Sequence, residues 1–507
     1  MPHRIFEIDE LARLISRHLV STDPGSVASL ACTCRFLEEP ALSSLWELQD
    51  SLFTLIDVSP THETNEEVRD QTVLAPIRPS RRCWVTKHNN SGNAWRRFRR
   101  YATWMRRLLL RDDEDDPWMT DNVFNHLLTG STDGLVCPNL RSLTCHLSTA
   151  NARFIPHFLS PHLTHLDVGV QMSNVMQEPP PDLLSTIRAL PTPCLQVVSV
   201  DLGVDEMDHL KDEVTSMVQR CGHSLRVLRV PAPLREAAVY HVMGLENLQV
   251  WEQVHSPPPA VLPLSTAFPP LQSLSLNTKA AYGWIPWLAQ RERGISDARD
   301  RPVEDGRLKA TLTRLGFRDP IPINTTFISS LLFFPNLVTL HTQRSSCVDG
   351  VDCIFSLVDQ DVVRLSAALP LLELLELGNP CRRNTCRTTI SCLLALSVHC
   401  KRLRTLRIHI NTSNLINDVQ SMSEDPNFRG LGSLPTRCSL RWFHVRDLPF
   451  PRGTSDRDIT TIAMGFVYIF PSLVGVHWCN DPGWEQLASR ARKLRGPQAS
   501  PQPEPQV

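Results

Sequence analysis

The sequence predicts an α/β fold built from stacked repeats of one strand and one helix. Two observations predict it: a short apolar triplet recurs along most of the 507 residues, and helical apolar patterns lie between its copies. In each triplet, two residues separate the first apolar position from the second, and one residue separates the second from the third. About twelve copies occur, roughly 23 to 41 residues apart, at Leu140/Leu143/Cys145, Leu163/Leu166/Val168, Leu195/Val198/Val200, Leu225/Leu228/Val230, Leu248/Trp251, Leu271/Leu274/Leu276, Leu312/Leu315/Phe317, Leu337/Leu340, Leu372/Leu375/Leu377, Leu403/Leu406/Ile408, Leu440/Phe443/Val445 and Leu473/Val476/Trp478.

The last two apolar residues of a triplet share one face of a strand, because side chains alternate along a strand. One such strand cannot bury its apolar face alone, so stacked neighbours are needed to form a continuous core. The spacing of the copies is typical of leucine-rich and related repeats. We therefore predict an α/β leucine-rich-repeat solenoid with parallel strands on its concave side and helices outside. The alternative is an ordinary doubly wound sheet, which the shared strand pattern disfavours.

Helical patterns alternate with the triplets, as this fold class requires. They occupy residues 182–190, 207–221, 235–243, 327–334, 361–369, 389–399 and 458–470. Several repeats also open alike, with Pro and then Asn or Ser before the first leucine, as at Pro138-Asn139-Leu140, Pro335-Asn336-Leu337 and Pro471-Ser472-Leu473.

Three short helices are predicted ahead of the repeats, within residues 1–50. The first covers Asp9–Leu19, and the second begins at Pro24, a residue suited to the first helical position. Residues 35–40 are expected to break the second helix, and the third covers 41–48. A unit of this size is too small to be stable alone, so it needs a partner or the domain behind it.

The residues of these helices resemble the F-box family. The motifs that carry the resemblance are Asp9-Glu10-Leu11 with Ile15 and Leu19, then Leu30-Ala31-Cys32-Thr33-Cys34-Arg35-Phe36, then Leu45-Trp46. The family's opening Leu-Pro is replaced here by Glu7-Ile8, and the stretch from Cys34 to Trp46 is about one residue shorter than usual. The whole chain is similar in architecture to the F-box proteins with degenerate leucine-rich repeats that are abundant in mushroom-forming fungi.

The resemblance implies a function and a set of contacts. In that family the F-box docks on a Skp-type adaptor, and through it on a cullin, while the rest of the chain captures a target protein. The positions that map to adaptor-contacting or F-box core residues are Ile8, Leu11, Ile15, Leu19, Val27, Leu30, Cys34, Phe36, Leu42 and Trp46. The alternative is a plain helical cap for the repeats.

The remaining chain divides by composition. Residues 51–92 indicate a linker, 93–137 a helical cap of the repeats that includes one amphipathic helix over 93–111, 138–490 the irregular solenoid, and 491–507 a disordered Pro- and Gln-rich tail. From Arg81 to Arg111 basic residues alternate with aromatic ones and no acid occurs. This pattern suggests nucleic-acid binding as an alternative, but a cap with one apolar face is favoured.

Neither an enzyme nor a cofactor is predicted. The sequence contains no Walker loop, dinucleotide fingerprint, Gly-x-Ser-x-Gly, His-Glu-x-x-His or Cys-x-x-Cys, so we expect no catalytic residues and no metal site. The 15 cysteines are an odd, scattered set without an export signal, which indicates a reducing compartment. No apolar run is long enough for a membrane span. We expect an intracellular protein of the cytoplasm, the nucleus or both.

Candidate substrate-binding residues lie between the buried positions of the C-terminal strands. They are Arg314, Arg318, His341, Gln343, Arg407, His409, His444, Arg446 and His477. If Arg407 and Arg446 are in register on adjacent strands, their guanidinium groups converge on one anion, such as an acidic or phosphorylated peptide. The alternative is a solvated face without a ligand.

Taken together, these features predict the substrate-recognition subunit of a Skp–cullin–F-box ubiquitin ligase. The alternative is a repeat scaffold that binds a partner without a role in ubiquitination. Nucleic-acid binding through residues 81–111 is third. The sequence does not identify the target protein.

Overall fold

Strands and helices alternate along the chain as the triplets predict. The computed structural model describes residues 9–49, 52, 92–111, 127–128, 131, 134–148, 151–171, 188, 194–201, 208–258, 269–297, 307–317, 323–342, 357–377, 387–424, 438–445, 450–451, 453–477 and 481–495. The chain divides into two units, Met1–Asn247 and Leu248–Val507.

In the first unit the described residues form six strands, and neighbouring strands in the order β1 to β6 pair in parallel. The strands are β1 (Leu48–Gln49), β2 (Arg107–Arg111), β3 (Ser142–Ser148), β4 (His165–Gln171), β5 (Val197–Asp201) and β6 (Val227–Arg229). The helices are α1 (Asp9–Val20), α2 (Pro24–Thr33), α3 (Arg35–Glu47), α4 (Gly92–Trp104), the 3-10 helix Ala152–Phe158, α5 (Asp208–Arg220) and α6 (Glu236–Met243).

The described part of the second unit contains eight strands, again parallel and in sequence order. They are β7 (Val250–Val254), β8 (Ser273–Leu276), β9 (Arg314–Phe317), β10 (Thr339–Thr342), β11 (Leu374–Leu377), β12 (Thr405–Ile408), β13 (Trp442–His444) and β14 (Gly475–His477). The helices are α7 (Thr278–Asp297), α8 (Arg307–Thr311), α9 (Thr325–Leu331), α10 (Asp359–Ala368), α11 (Ile390–His399), α12 (Leu415–Glu424), α13 (Asp456–Ile469) and α14 (Pro482–Arg495).

The apolar triplets form the core between strands and helices. Every triplet residue that the structure describes is at most 4% exposed. In β12, for example, Leu406 and Ile408 are buried, whereas Thr405 and Arg407 lie on the opposite face. The predicted fold class, α/β with parallel strands in leucine-rich-repeat-like stacks after three N-terminal helices, is confirmed within the two units.

Local sequence explains where the helices of the repeats begin. In α13 the Ser455 hydroxyl accepts from the Asp458 amide, and the Asp458 carboxylate accepts from the Ser455 amide, so two otherwise unsatisfied donors are paired. Ile459, Ile462 and Phe466 then follow at helical spacing and are buried. The predicted helices 207–221, 235–243, 327–334, 361–369, 389–399 and 458–470 correspond to α5, α6, α9, α10, α11 and α13, whereas 182–190, apart from residue 188, lies outside the described residues.

The Asn or Ser that opens a repeat ties it to the previous repeat. Its side chain donates to a backbone carbonyl two residues before the first apolar position of the preceding triplet. The pairs are Asn139 to Thr103, Asn247 to His223, Asn336 to Ala310 and Ser439 to Lys401, at 2.7–3.1 Å. In these four repeats the opening side chain therefore satisfies a backbone carbonyl that lies just before the preceding strand.

The third helix is longer than the sequence predicts. Residues 35–40 are helical and not a break between two helices, because α3 begins at Arg35 and continues through Pro40 to Glu47. Because proline has no backbone N–H, Pro40 removes one hydrogen bond from the helix. Its carbonyl accepts from the hydroxyls of Ser43 and Ser44.

The prediction of one helix over residues 93–111 is wrong. Helix α4 ends at Trp104, and residues 107–111 form β2 between β1 and β3. Met105, Leu108 and Leu110 repeat the triplet spacing and are at most 2% exposed. Burial of this triplet in the sheet outweighs the helical pattern, so strand pairing begins before the predicted boundary at residue 138.

The C-terminal boundary also differs from the prediction. Helix α14 continues to Arg495 and buries Ala491, so residues 491–495 are helical rather than part of a disordered tail. Residues 496–507 and nearly all of the predicted linker 51–92 lie outside the described residues.

Candidate functional site

Helix α1 carries apolar side chains on an exposed face. Leu11 and Ile15 are each 37% exposed and Leu14 is 63% exposed, whereas Ala12 and Ser16 face inward. Residues three and four apart are neighbours on a helix surface, so the three exposed side chains form one patch. Leu11 and Ile15 belong to the predicted adaptor contacts, and Leu14 adds to them.

The three helices enclose a small hydrophobic core. Val27, Ala31 and Ala41 are buried there, and Leu19 and Leu42 pack against them. The predicted positions Leu19, Val27 and Leu42 therefore hold the helices together. So few buried side chains leave the unit with more apolar surface than it can bury internally.

Phe36 is the most exposed of the predicted adaptor residues in the described part of the chain, at 66%. It lies in the first turn of α3, and Leu30 and Cys34 just before it are partly buried. Ile8 lies outside the described residues.

Trp46 is partly buried and packs against α4, outside the three-helix unit. Its ring stacks on Tyr101 of α4, with centroids 4.5 Å apart and an angle of 4° between the planes. Next to Trp46, the Glu47 carbonyl accepts from the Arg106 amide, and β1 then pairs with β2. The resemblance alone implies either an adaptor contact or a core position for Trp46, and the stack makes it a joint between the three helices and the repeats.

In the described part of residues 81–111, aromatic rings contact other residues of this chain. The Arg100 guanidinium lies 4.7 Å from the Trp104 ring centroid and 3.8–3.9 Å from the carboxylates of Glu38 and Glu39. Trp95 contacts Phe98 edge to face. These contacts each occupy part of a ring that single-strand binding would use for stacking on bases.

A row of polar side chains crosses the strands of the second unit. The register of the strands aligns Gly316, His341, Glu376, Arg407, His444 and His477. Arg407 is therefore opposite His444 and not opposite Arg446, so the register required for convergence of Arg407 and Arg446 is not found. Arg446 itself, with Arg318 and Gln343, lies outside the described residues, as does the side chain of His477.

Arg407 is engaged within this row. Its guanidinium lies 2.6 Å from the Glu376 carboxylate, and the two side chains are 14% and 20% exposed. A second guanidinium nitrogen lies 3.4 Å from Nδ1 of His444. Because Glu376 already neutralises Arg407, an incoming anion would compete with a half-buried ion pair.

Two further predicted residues differ in exposure. Arg314 is exposed at the start of β9. His409 is 4% exposed and is therefore not solvent-facing. At its backbone, the Thr388 hydroxyl donates to the His409 carbonyl, and the Asn411 amide donates to the Thr388 carbonyl.

His341 is held against the neighbouring strand. A side chain at Gly316 would place its Cβ 2.5 Å from Cε1 of His341, so the imidazole covers that glycine. Burial lowers the pKa of His341 below its ordinary value of about 6.5, against the opposing effect of Glu376 and Glu252. The imidazole is therefore kept neutral at neutral pH.

The lowered pKa of His341 predicts a pH dependence of stability. A histidine held neutral by burial binds fewer protons in the folded state than in the unfolded state, so the free energy of unfolding should fall as the pH falls below about 6.5. The fall should be smaller in His341→Gln. Urea unfolding of the wild type and of His341→Gln, each at about pH 7.5 and about pH 5.5, measures the two falls in free energy. The same pH dependence in the variant and the wild type would contradict the assignment.

No protein-family model matches the chain, and no curated protein matches it. Among solved structures, the chain is similar to an internalin (InlF) from Listeria monocytogenes, with 13% identity over 70% of this chain and 80% of the internalin chain and a TM-score of 0.29. Within the described residues no helix is long and apolar enough to cross a membrane. The strand register and the buried triplets are therefore the observations that establish the α/β repeat fold.

Proposed function

We propose that this chain is the substrate-recognition subunit of a Skp–cullin–F-box ubiquitin ligase. In this proposal the three N-terminal helices dock a Skp-type adaptor, and the repeats hold a target protein near the transferring enzyme. Holding the target nearby raises its effective concentration, so the chain itself needs no bond chemistry.

The observation that carries the proposal is the exposed apolar surface of the three-helix unit. Leu11, Leu14 and Ile15 form a patch on α1, and Phe36 exposes two thirds of its surface on α3. Exposed apolar patches on a small unit are typical of protein-interaction sites. Three of these four residues, Leu11, Ile15 and Phe36, match positions that the resemblance to the F-box family implies as adaptor contacts or core residues.

The joint to the repeats supports the same function. Trp46 stacked on Tyr101, together with the β1–β2 pairing, fixes the three helices to the first strands of the repeats. A fixed joint holds a captured target at a defined distance from the adaptor. A unit on a flexible tether would hold it less well.

We expect a purified Skp-type adaptor to capture the wild-type chain and to lose it on substitution of the patch. In Leu11→Asp/Phe36→Asp, two apolar anchors are replaced by charges. Loss of one interface anchor costs about 2 kcal/mol, about 30-fold in Kd, so the double variant should bind at least that much more weakly. Titration of the adaptor by calorimetry measures the change.

The matched control is Met464→Asp/Leu494→Asp, which places the same charges at apolar residues of α13 and α14 that are 49% and 46% exposed. This control should bind like the wild type. Undiminished binding by the Leu11→Asp/Phe36→Asp variant would remove the proposed surface. Failure of the folded wild type to bind any Skp-type adaptor would leave a repeat scaffold without a ligase role.

A further inference from the structure

A row of polar residues lies immediately before the strands of the first unit. We call it the strand-start row. Its members, in the order of the strands, are Glu47, Arg106, Arg141, Thr164, Gln196 and Arg226. From Arg106 onward, each backbone amide donates to the carbonyl of the preceding member, at 2.7–3.0 Å. Neighbouring members are therefore one strand apart, about 4.8 Å.

The strand-start row brings like charges together. Arg106 and Arg141 directly precede two adjacent strands. The pKa of Arg106 is lowered, first by burial and then by the charge of Arg141. The nearby carboxylate of Glu47 opposes this effect, but it also accepts a 2.8 Å bond from Arg17. One carboxylate therefore faces several guanidinium groups, and the row has an excess of positive charge.

Two arginines of the row are open to a ligand. Arg141 and Arg226 are exposed and make no ion pair with any residue that the structure describes. Arg106 donates to the Asn139 carbonyl at 3.0 Å, which holds its guanidinium beside Arg141. A guanidinium presents a planar set of donors that matches a carboxylate.

We propose that the strand-start row binds an acidic peptide segment that crosses the strands. This deepens the proposed function, on which it rests, because the segment belongs to the captured target. Arg141 and Arg226 are three strand steps apart, about 14 Å. An extended peptide rises about 3.3 Å per residue, so two carboxylates about four residues apart reach both arginines.

The arrangement favours a peptide over a nucleic acid. A protein that binds nucleic acid tightly neutralises many phosphates, about 6–10. A protein that binds single strands also stacks bases on open aromatic rings. The strand-start row offers three arginines. In the nearby α4, Tyr101 is stacked on Trp46, and Trp104 lies under Arg100.

The test measures the fluorescence anisotropy of labelled peptides with the full-length protein. The ligand is a peptide of about 12 residues of Gly, Ser and Ala that carries the spacing Glu-x-x-x-Glu. Comparison peptides carry adjacent glutamates or Gln-x-x-x-Gln. The variant is Arg141→Gln/Arg226→Gln, and the matched control is Arg402→Gln/Arg457→Gln, which changes two exposed arginines of the second unit. Thermal unfolding verifies that both variants fold.

The spaced glutamate peptide should bind best, and its binding should weaken as salt is added. Arg141→Gln/Arg226→Gln should raise its Kd about tenfold or more, whereas the control leaves it unchanged. The proposal is overturned if the spaced peptide does not bind the wild type, if Gln-x-x-x-Gln binds equally well, or if the control loses as much affinity. It is also overturned if a single-stranded oligonucleotide binds more tightly and is lost in the same variant.

This experiment is separable from the test of the ligase role. Arg141→Gln/Arg226→Gln leaves the α1 and α3 patch intact, so adaptor capture should be unchanged. Peptide binding without adaptor capture would remove the ligase role alone. Adaptor capture without peptide binding would remove the acidic-peptide site alone.

Discussion

Replacing Leu406 by aspartate is expected to lower the free energy of unfolding by at least about 4 kcal/mol. Leu406 is fully buried in β12 between Leu375 of β11 and Phe443 of β13. An aspartate there either buries an unpaired charge or takes up a proton, and both outcomes are costly. Because this residue is in register with its neighbours, the loss should extend over adjacent repeats. Urea unfolding followed by circular dichroism measures the effect.

The control for this prediction is Thr405→Asp, one residue earlier on the same strand. Thr405 lies on the opposite face of β12, partly exposed between Leu374 and Trp442. The charge remains hydrated there, so the change should stay within about 1 kcal/mol. Equal losses for Thr405→Asp and Leu406→Asp would mean that the register of the repeats is misassigned.

Replacing Trp46 by alanine is expected to cost about 2–3 kcal/mol. The substitution removes the ring that stacks on Tyr101 and leaves a gap between α3 and α4. Since β1 and β2 depend on the same joint, the three helices should become sensitive to protease while the second unit stays protected. Urea unfolding and limited proteolysis with fragment mapping test both parts of the prediction.

Phe36→Ala is the matched comparison, because Phe36 is also aromatic and on α3 but is 66% exposed. Its removal should change the free energy of unfolding by less than about 0.5 kcal/mol and weaken adaptor binding. The opposite result, a stable Trp46→Ala that has lost adaptor binding, would show that Trp46 faces the partner instead of the repeats.

Most of the repeat architecture is readable from the sequence because it depends on local spacing. The apolar triplets occur at strand spacing, and the described members of all of them are buried. The missed strand β2 carries the same signal at Met105, Leu108 and Leu110. The sequence nevertheless predicts a helix there, because Trp95, Phe98 and Ala102 before it follow helical spacing. Spacing alone does not mark where one pattern replaces the other.

The candidate sites depend on which strands are aligned, and the sequence leaves this open. A shared anion site requires Arg407 to face Arg446, but a register difference of two residues places Arg407 opposite His444 and beside Glu376. The strand-start row also depends on strand alignment, which here brings residues together instead of separating them. Arg106, Arg141 and Arg226 are far apart in the chain and enter one row only when their strands pair, with Arg106 and Arg141 as direct neighbours.

The sequence by itself determined the repeating α/β architecture, the three N-terminal helices and the identity of the buried residues. Each depends on side chains a few positions apart, whose directions follow from the geometry of one strand or helix. Only the tertiary structure decided that Trp46 is a joint, that Arg407 is neutralised and that three arginines of the first unit lie in one row across the strands. These outcomes depend on contacts between elements tens of residues apart, which are set when helices dock and strands align.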